Sequence, residues 1–356
     1  MDVLFVFPHL AGGMATLNAE RDTALQANGI RCYYLYFSAS ASAKIIDKNR
    51  VFVLDKDADM KNLIASHQFQ AVIVCTDYLF LKKLRNMGYR GKVVFENQGV
   101  GSRTSSLMWL KKCRPYVVRY ANAILFPPHT FWEQQMAAAF PGLPQYSFPN
   151  CINAERYHQI NVNQPEHVIV GWVGRLEKNK NWLEFLKIGA RLCAEKQNLR
   201  LWFFHDTTYS TQQQLQQFAA QISKVGLQSY LEVFENIPRS EMQIYYSKIA
   251  VSGGVLCSTS LLEGFGYSIA EAMCCNCPVV ATKSDGVENL ILHNQTGKLY
   301  EQGDVATSVR EIKELIENHS LRETISQAAA AHIQTEYTPS RYSQHFRTML
   351  RNLGTG

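Results

Sequence analysis

No uncharged apolar run in the 356-residue chain approaches the roughly 18 residues that a membrane-spanning helix requires. The start, "MDVLFVFPHL", lacks the basic region and cleavage site of an export signal, and it alternates like a buried first strand. The nine cysteines are an odd number with no framework spacing, which excludes a disulfide scaffold and fits a reducing compartment. "MCCNCP" lacks the second ligand pair of a zinc site. Cys274, Cys275 and Cys277 are therefore expected to pack as small apolar residues, with Asn276 in the left-handed position that closes a helix. No short repeat or low-complexity tract is present. What remains is a globular protein expected in the cytoplasm, and its 46% apolar residues supply ample core.

Negative charge is scarce in one half only. Residues 1–150 carry 17 Lys and Arg against 10 Asp and Glu, and residues 151–356 carry 19 against 20. From Lys82 to Tyr120 there are ten basic residues and one acidic one, Glu96. Within that stretch "SSLMWLKKCRPYVVRY" sets Leu107, Met108, Trp109 and Leu110 beside Lys111, Lys112 and Arg114. Such a segment suits an anionic bilayer or an anionic partner. A solvated basic face over an ordinary core is the other reading.

The first half alternates short apolar runs with helix-like segments: "DVLFVF", "RCYYLYF", "QAVIVC" and "KVVFEN" are strand-length, and a helix from Ala15 to Asn28 stops at Gly29. Proline and asparagine gather between Phe140 and His167, and then the alternation restarts with "VIVGWVG", "LRLWFFH", "YLEVFEN", "VSGGVLCS" and "PVVAT" as strands. This predicts an α/β protein of two Rossmann-like, doubly wound parallel-sheet domains facing a central cleft. The expected boundaries are 1–150, a linker at 151–167, and 168–337.

Three constellations carry chemistry. In "EGFGYSIAEA" two glutamates, Glu263 and Glu271, stand eight positions apart around Gly264 and Gly266. A continuous helix would separate them by ~12 Å along its axis. The glycines instead place the helix start near Gly266, with Glu263 in the preceding loop and Glu271 about a turn inside. The backbone N–H groups of Gly266, Tyr267 and Ser268 would then form an anion site flanked by two hydroxyl-accepting carboxylates. Plain capping by acidic residues explains the same pattern. Second, "GWVGRLEKNKNW" delivers Arg175, Lys178 and Lys180 to a strand-to-helix turn, where cations can neutralise a diphosphate or simply be solvated. Third, Gly12 and Gly13 follow the first strand and open a helix, so backbone can approach a phosphate there, although the dinucleotide glycine spacing is missing.

Together, "PHLAGGM", "VGRLEKNKN", "ENIPRSEMQIYYSKIAV", "EGFGYSIAEAM", "PVVAT" and "HNQTGKLYEQGD" resemble the retaining glycosyltransferases of family 4, which have the GT-B fold. The resemblance is diffuse over the first half and strong from Val170 to about Asp304. It implies transfer of a hexose from a nucleotide-diphosphate sugar, UDP-sugar favoured, to an acceptor hydroxyl in cell-envelope polysaccharide or glycolipid synthesis. It assigns Glu263 to the donor-sugar hydroxyls, Glu271 to the ribose, and Arg175 and Lys180 to the diphosphate. Amides at Phe265 to Ser268 would hold the sugar and β-phosphate, and Gly12 and Gly13 would cover the diphosphate. The C-terminal helix, about 338–356, is expected to cross back to the first domain. No metal or other cofactor is expected, and no nucleic acid. The expected partners are the donor, an acceptor glycan, glycolipid or small molecule, and an anionic membrane surface through residues 82–120 on the inner face. The sequence departs where relatives have a histidine: "KVVFENQGVGSR" offers Asn97 and Gln98, which can bond a sugar or acceptor hydroxyl but cannot titrate. His205 in "FFHD" also stands where relatives differ, as a structural histidine or one facing the nucleotide. A sugar-nucleotide epimerase of the same fold, or a non-catalytic partner subunit, is the alternative.

Overall fold

A computed structural model describes residues 1–10, 12–39, 49–99, 103–195 and 198–355, with the side chains of 39, 103–106, 130–131 and 209 left aside. Ala11, the segment Val100 to Ser102 and Gly356, all named in the sequence reading, lie outside the described residues, as does the Arg103 side chain. The chain divides into two units, Met1–Cys151 with Tyr337–Gly356, and Ile152–Glu336.

The first unit runs β1 (Asp2–Leu10), α1 (Gly12–Gln26), β2 (Arg31–Ala39), β3 (Val51–Val53), α2 (Asp57–Ser66), β4 (Ala71–Cys75), α3 (Tyr78–Asn86), β5 (Lys92–Glu96), α4 (Arg103–Tyr120), β6 (Ala123–Phe126), α5 (Thr130–Ala139) and β7 (Gln145–Ser147). Its strands form one parallel sheet in the order β3-β2-β1-β4-β5-β6-β7. Successive side chains of a strand point to opposite faces, and both faces here are covered, hence the near-continuous apolar runs. Leu4 and Val6 join the helices α2 to α4 on one side, and Val3 and Phe5 join α1 on the other.

In the second unit come β8 (Val168–Val173), α6 (Trp182–Glu195), β9 (Leu199–His205), α7 (Gln212–Lys224), β10 (Leu231–Glu235), α8 (Met242–Val251), β11 (Val255–Ser258), α9 (Tyr267–Cys274), β12 (Val279–Thr282), α10 (Val287–Leu290), β13 (Lys298–Tyr300), α11 (Val305–Glu317) and α12 (His319–Glu336). Its parallel sheet has the order β10-β9-β8-β11-β12-β13. The last helix, α13 (Pro339–Asn352), packs on α1, and its apolar stripe Tyr342, Phe346, Met349, Leu350 enters the core of the first unit.

Several details refine the sequence reading. "VSGGVLCS" is strand only from Val255, because Val251 ends α8 and Gly253 turns the chain at φ 79°. A Cβ on Gly254 would lie 1.8 Å from the Ile169 carbonyl oxygen, so the turn packs directly on β8. All nine cysteines are buried and none is in a disulfide, and Asn276 has φ 52°. The segment 152–167 belongs with the second unit, where Ile160 N donates to Ser247 Oγ at 3.1 Å. The apolar run in α4 is divided by its helical period. Leu110 faces the core and Trp109 stacks on Phe95 at 5.7 Å, while Leu107 and Met108 stay exposed beside Lys111 and Lys112.

Candidate functional site

In a parallel sheet, the loops that leave the carboxyl ends of the strands share one edge, where ligands of such sheets bind. The loop after β8 carries Arg175 and then a 3₁₀ turn, Lys178–Lys180, closed by Asn181 at φ 50°. The loop after β11 carries Thr259 to Gly266. The two are fastened together. Leu261 N donates to Asn179 O at 2.7 Å, and Asn179 Nδ2 donates to Leu262 O at 2.9 Å. The buried Thr259 hydroxyl accepts from Trp172 Nε1 at 2.9 Å and reaches Lys180 O, also at 2.9 Å. This backbone stitching brings Lys180 to Glu263, and the ammonium donates to Glu263 Oε1. Arg175 lies further out and pairs through Nη2 with Glu177 Oε1 at 3.0 Å.

The loop after β12 supports Glu263 from the other side. Gly286 N donates to Glu263 O at 2.8 Å, and a Cβ on Gly286 would lie 2.4 Å from the Gly264 carbonyl oxygen. Only glycine fits that approach.

Gly266, at φ 87°, is the N-cap of α9. Tyr267 and Ser268 occupy the first two helical positions, where N–H groups have no acceptor within the helix. Glu271 sits about a turn further in and is 5% exposed. Its carboxylate accepts from Arg239 Nε at 2.8 Å and from Tyr246 Oη at 3.1 Å. The site therefore holds two carboxylates, each against a cation, around a helix N-terminus and a basic turn. That set can bind a ligand with hydroxyls flanking a diphosphate. Asn179, Thr259, Arg239, Tyr246 and Gly286 were not singled out in the sequence. Asn179 lies inside "GWVGRLEKNKNW", and Arg239 and Tyr246 inside "ENIPRSEMQIYYSKIAV", but nothing local marked their partners, and Thr259 and Gly286 fell outside the quoted motifs.

Four residues singled out in the sequence, Gly12, Gly13, Asn97 and Gln98, lie in the first unit. Gly12 opens α1 at φ 61°, and a Cβ on Gly13 would meet nothing within 4 Å, so the space above this backbone is open. Asn97 and Gln98 are engaged by the protein. Asn97 Oδ1 accepts from Gly99 N at 3.0 Å, and Gln98 Nε2 donates to Glu96 Oε1 at 2.8 Å. Asn150 Nδ2 donates to Gln98 Oε1 at 2.8 Å. Glu96 is fully buried and paired with the fully buried Arg21 at 3.0 Å. His205, in the second unit, is packed between Phe203 and Phe218 rings at 5.7 and 5.8 Å. Burial lowers its pKa against the opposing pull of Glu235 and Asp206.

Comparison with known proteins gives a consistent picture. The family model for glycosyl transferases group 1 matches residues 153–332. The capsular polysaccharide biosynthesis glycosyltransferase CapM of Staphylococcus aureus is 25% identical over 186 residues, 52% of this chain and 45% of CapM. The chain thus spans less than half the length of that curated relative. The HepE protein of Anabaena, crystallised with UDP and glucose, superposes with a TM-score of 0.82 at 18% identity, covering 99% of this chain and 100% of that one. Sucrose-phosphate synthase from Thermosynechococcus elongatus gives a TM-score of 0.82 at 14% identity, covering 99% of each chain. At these identities the structures bear on the fold, and the fold is GT-B, with its two Rossmann-like parallel sheets.

Proposed function

Because this chain belongs to the glycosyl transferases group 1, we propose that it moves a hexose from a UDP-sugar to an acceptor hydroxyl with retention of configuration. The acceptor would be a glycan or glycolipid of the cell envelope. The observation that carries this reading is the joining of the Lys178–Lys180 turn to the Glu263 loop, beside a helix N-terminus that holds Glu271. HepE has been crystallised with UDP-glucose, which supports UDP as the carrier here, and CapM acts in capsular polysaccharide synthesis, which supports an envelope acceptor.

In this reading Glu271 takes the ribose hydroxyls and Glu263 the hydroxyls of the donor sugar. Arg175, Lys180 and the amides of Phe265 to Ser268 take the diphosphate and β-phosphate, and Gly12 and Gly13 keep the diphosphate-covering role that the resemblance implies. The leaving diphosphate gains charge as the glycosidic bond breaks, and fixed cations and helix amides stabilise that charge without reorganising. The departing phosphate oxygen accepts the acceptor proton on the same face of the sugar, so neither a nucleophilic carboxylate nor a metal is required. Asn97 and Gln98 would act on the acceptor side through the backbone and the network they brace.

The enzyme would work in the cytoplasm against the inner membrane. The exposed face of α4 supports this: Leu107, Met108 and Val118 lie among Lys111, Lys112, Arg114 and Arg119, while Glu96, the one acidic residue from Lys82 to Tyr120, is buried. Charge complementarity favours an anionic bilayer.

The test is release of UDP from a panel of UDP-sugars with and without glycan and glycolipid acceptors, in EDTA, with the product's anomeric configuration read by NMR. Acceptor-dependent release and an unchanged anomer are expected. Inversion, turnover without acceptor, or loss of all activity in EDTA would overturn the corresponding part.

A further inference from the structure

Two segments outside its own helix bond Glu271, and a third braces one of them. Arg239, in the 3₁₀ turn after β10, donates from Nε to Oε1 at 2.8 Å. Tyr246, from α8, donates to Oε2 at 3.1 Å and is completely buried. Burial raises the Tyr246 phenol well above its ordinary pKa, so it stays a donor across the working range. Tyr157, from the segment that begins the second unit, donates its hydroxyl to the Arg239 carbonyl at 3.4 Å. The Arg239 guanidinium also lies 5.3 Å from the Tyr157 ring and 5.7 Å from the Tyr267 ring. A planar guanidinium set against two rings has little freedom to swing. Each oxygen of the carboxylate therefore has a named donor, and its plane is fixed. A carboxylate oxygen accepts more than one hydrogen bond, so this clamp orients the group without closing it to a ligand.

We infer that Arg239 is a positioning residue that presents Glu271 to the ribose diol and so sets the preference for ribonucleotide over 2′-deoxyribonucleotide donors. The inference rests on the assignment of Glu271 to the ribose. A site rejects an analogue that lacks one hydroxyl because a fixed polar group is left without its partner. That penalty requires the carboxylate to stay in place. If Glu271 can rotate toward other donors, the missing hydroxyl costs less. Removing Arg239 should then weaken UDP and, separately, compress the ratio between UDP and 2′-deoxy-UDP. Lysine would supply a point charge without the fork or the stacking and should restore only part of both.

Calorimetry with UDP and 2′-deoxy-UDP on wild type, Arg239→Ala, Arg239→Lys, Glu271→Ala and the Arg239→Ala/Glu271→Ala double variant tests this. Arg239→Ala is expected to weaken UDP about tenfold and to bring the two nucleotides within about twofold of each other. In the Glu271→Ala background, the same substitution should change UDP affinity by less than about twofold, because both residues act through one contact. A UDP to 2′-deoxy-UDP ratio unchanged in a folded Arg239→Ala protein overturns the inference, as does full additivity in the double variant. If Arg239→Ala fails to fold, Arg239→Gln carries the same expectation, and an unchanged ratio there is equally decisive. Unimpaired UDP binding by Glu271→Ala would instead overturn the ribose assignment itself.

Discussion

Lys180 Nζ donates to Glu263 Oε1 across 83 positions of sequence, and both side chains are largely shielded, 19% and 14% exposed. The cation assigned to the diphosphate and the carboxylate assigned to the donor sugar thus hold each other. A shielded charge that loses its partner is strongly disfavoured. Lys180→Ala should therefore disturb Glu263 as well, and the Lys180→Ala/Glu263→Ala pair should fall well short of the sum of the single effects. Steady-state kinetics should show Lys180→Ala and Arg175→Ala each lowering kcat by about a hundredfold, more than they raise the donor KM. A rate within about threefold of wild type for either one would count against its role.

The two glutamates should separate by ligand. Glu271→Ala is expected to weaken the bare nucleotide by about tenfold or more, whereas Glu263→Ala leaves it nearly unchanged and alters relative kcat/KM among donor sugars. Equal losses of nucleotide affinity in both would remove the division of roles.

Gly286→Ala should loosen the support of the Glu263 loop. Its Cβ would fall 2.4 Å from the Gly264 carbonyl oxygen, so backbone must move. A loss of about 1–3 kcal/mol in denaturant unfolding is expected, with a fall in kcat. Gly13→Ala, whose Cβ meets nothing within 4 Å, should leave stability unchanged and serves as the control.

His205 should make stability depend on pH. Burial lowers its pKa in the folded protein from the ordinary value of 6.5, against smaller opposing contributions from Glu235 and Asp206. Below that value the unfolded chain binds the extra proton first, so the contribution is complete above pH 6.5 and is lost as pH falls toward the folded value. The slope from this group cannot exceed about 1.4 kcal/mol per pH unit. Urea unfolding between neutral and mildly acid pH should give a flatter profile for His205→Gln, and identical profiles would refute the assignment.

The α4 face should bind vesicles by charge. Lys111→Glu/Lys112→Glu is expected to abolish sedimentation with anionic vesicles at low salt, each lysine contributing about 1 kcal/mol. Binding by wild type that ignores lipid charge and salt would contradict the membrane reading.

Local pattern was enough to read two doubly wound units, the place of most of the longer strands along the chain, the helix start at Gly266 and the left-handed Asn276. These follow from side-chain periodicity and from the backbone freedom of glycine and asparagine, which act within a few residues. Tertiary structure alone decided what fixes the candidate site. Arg239 and Tyr246 meet Glu271 from 32 and 25 positions away, and Asn179 reaches Leu262 from 83. It also decided that Gln98 is bound up with Glu96 and Asn150, and that Leu110 faces the core while Leu107 and Met108 stay exposed. A hydrogen bond between distant residues depends on strand order and loop path rather than on neighbours, and so leaves no periodic mark in the chain that makes it.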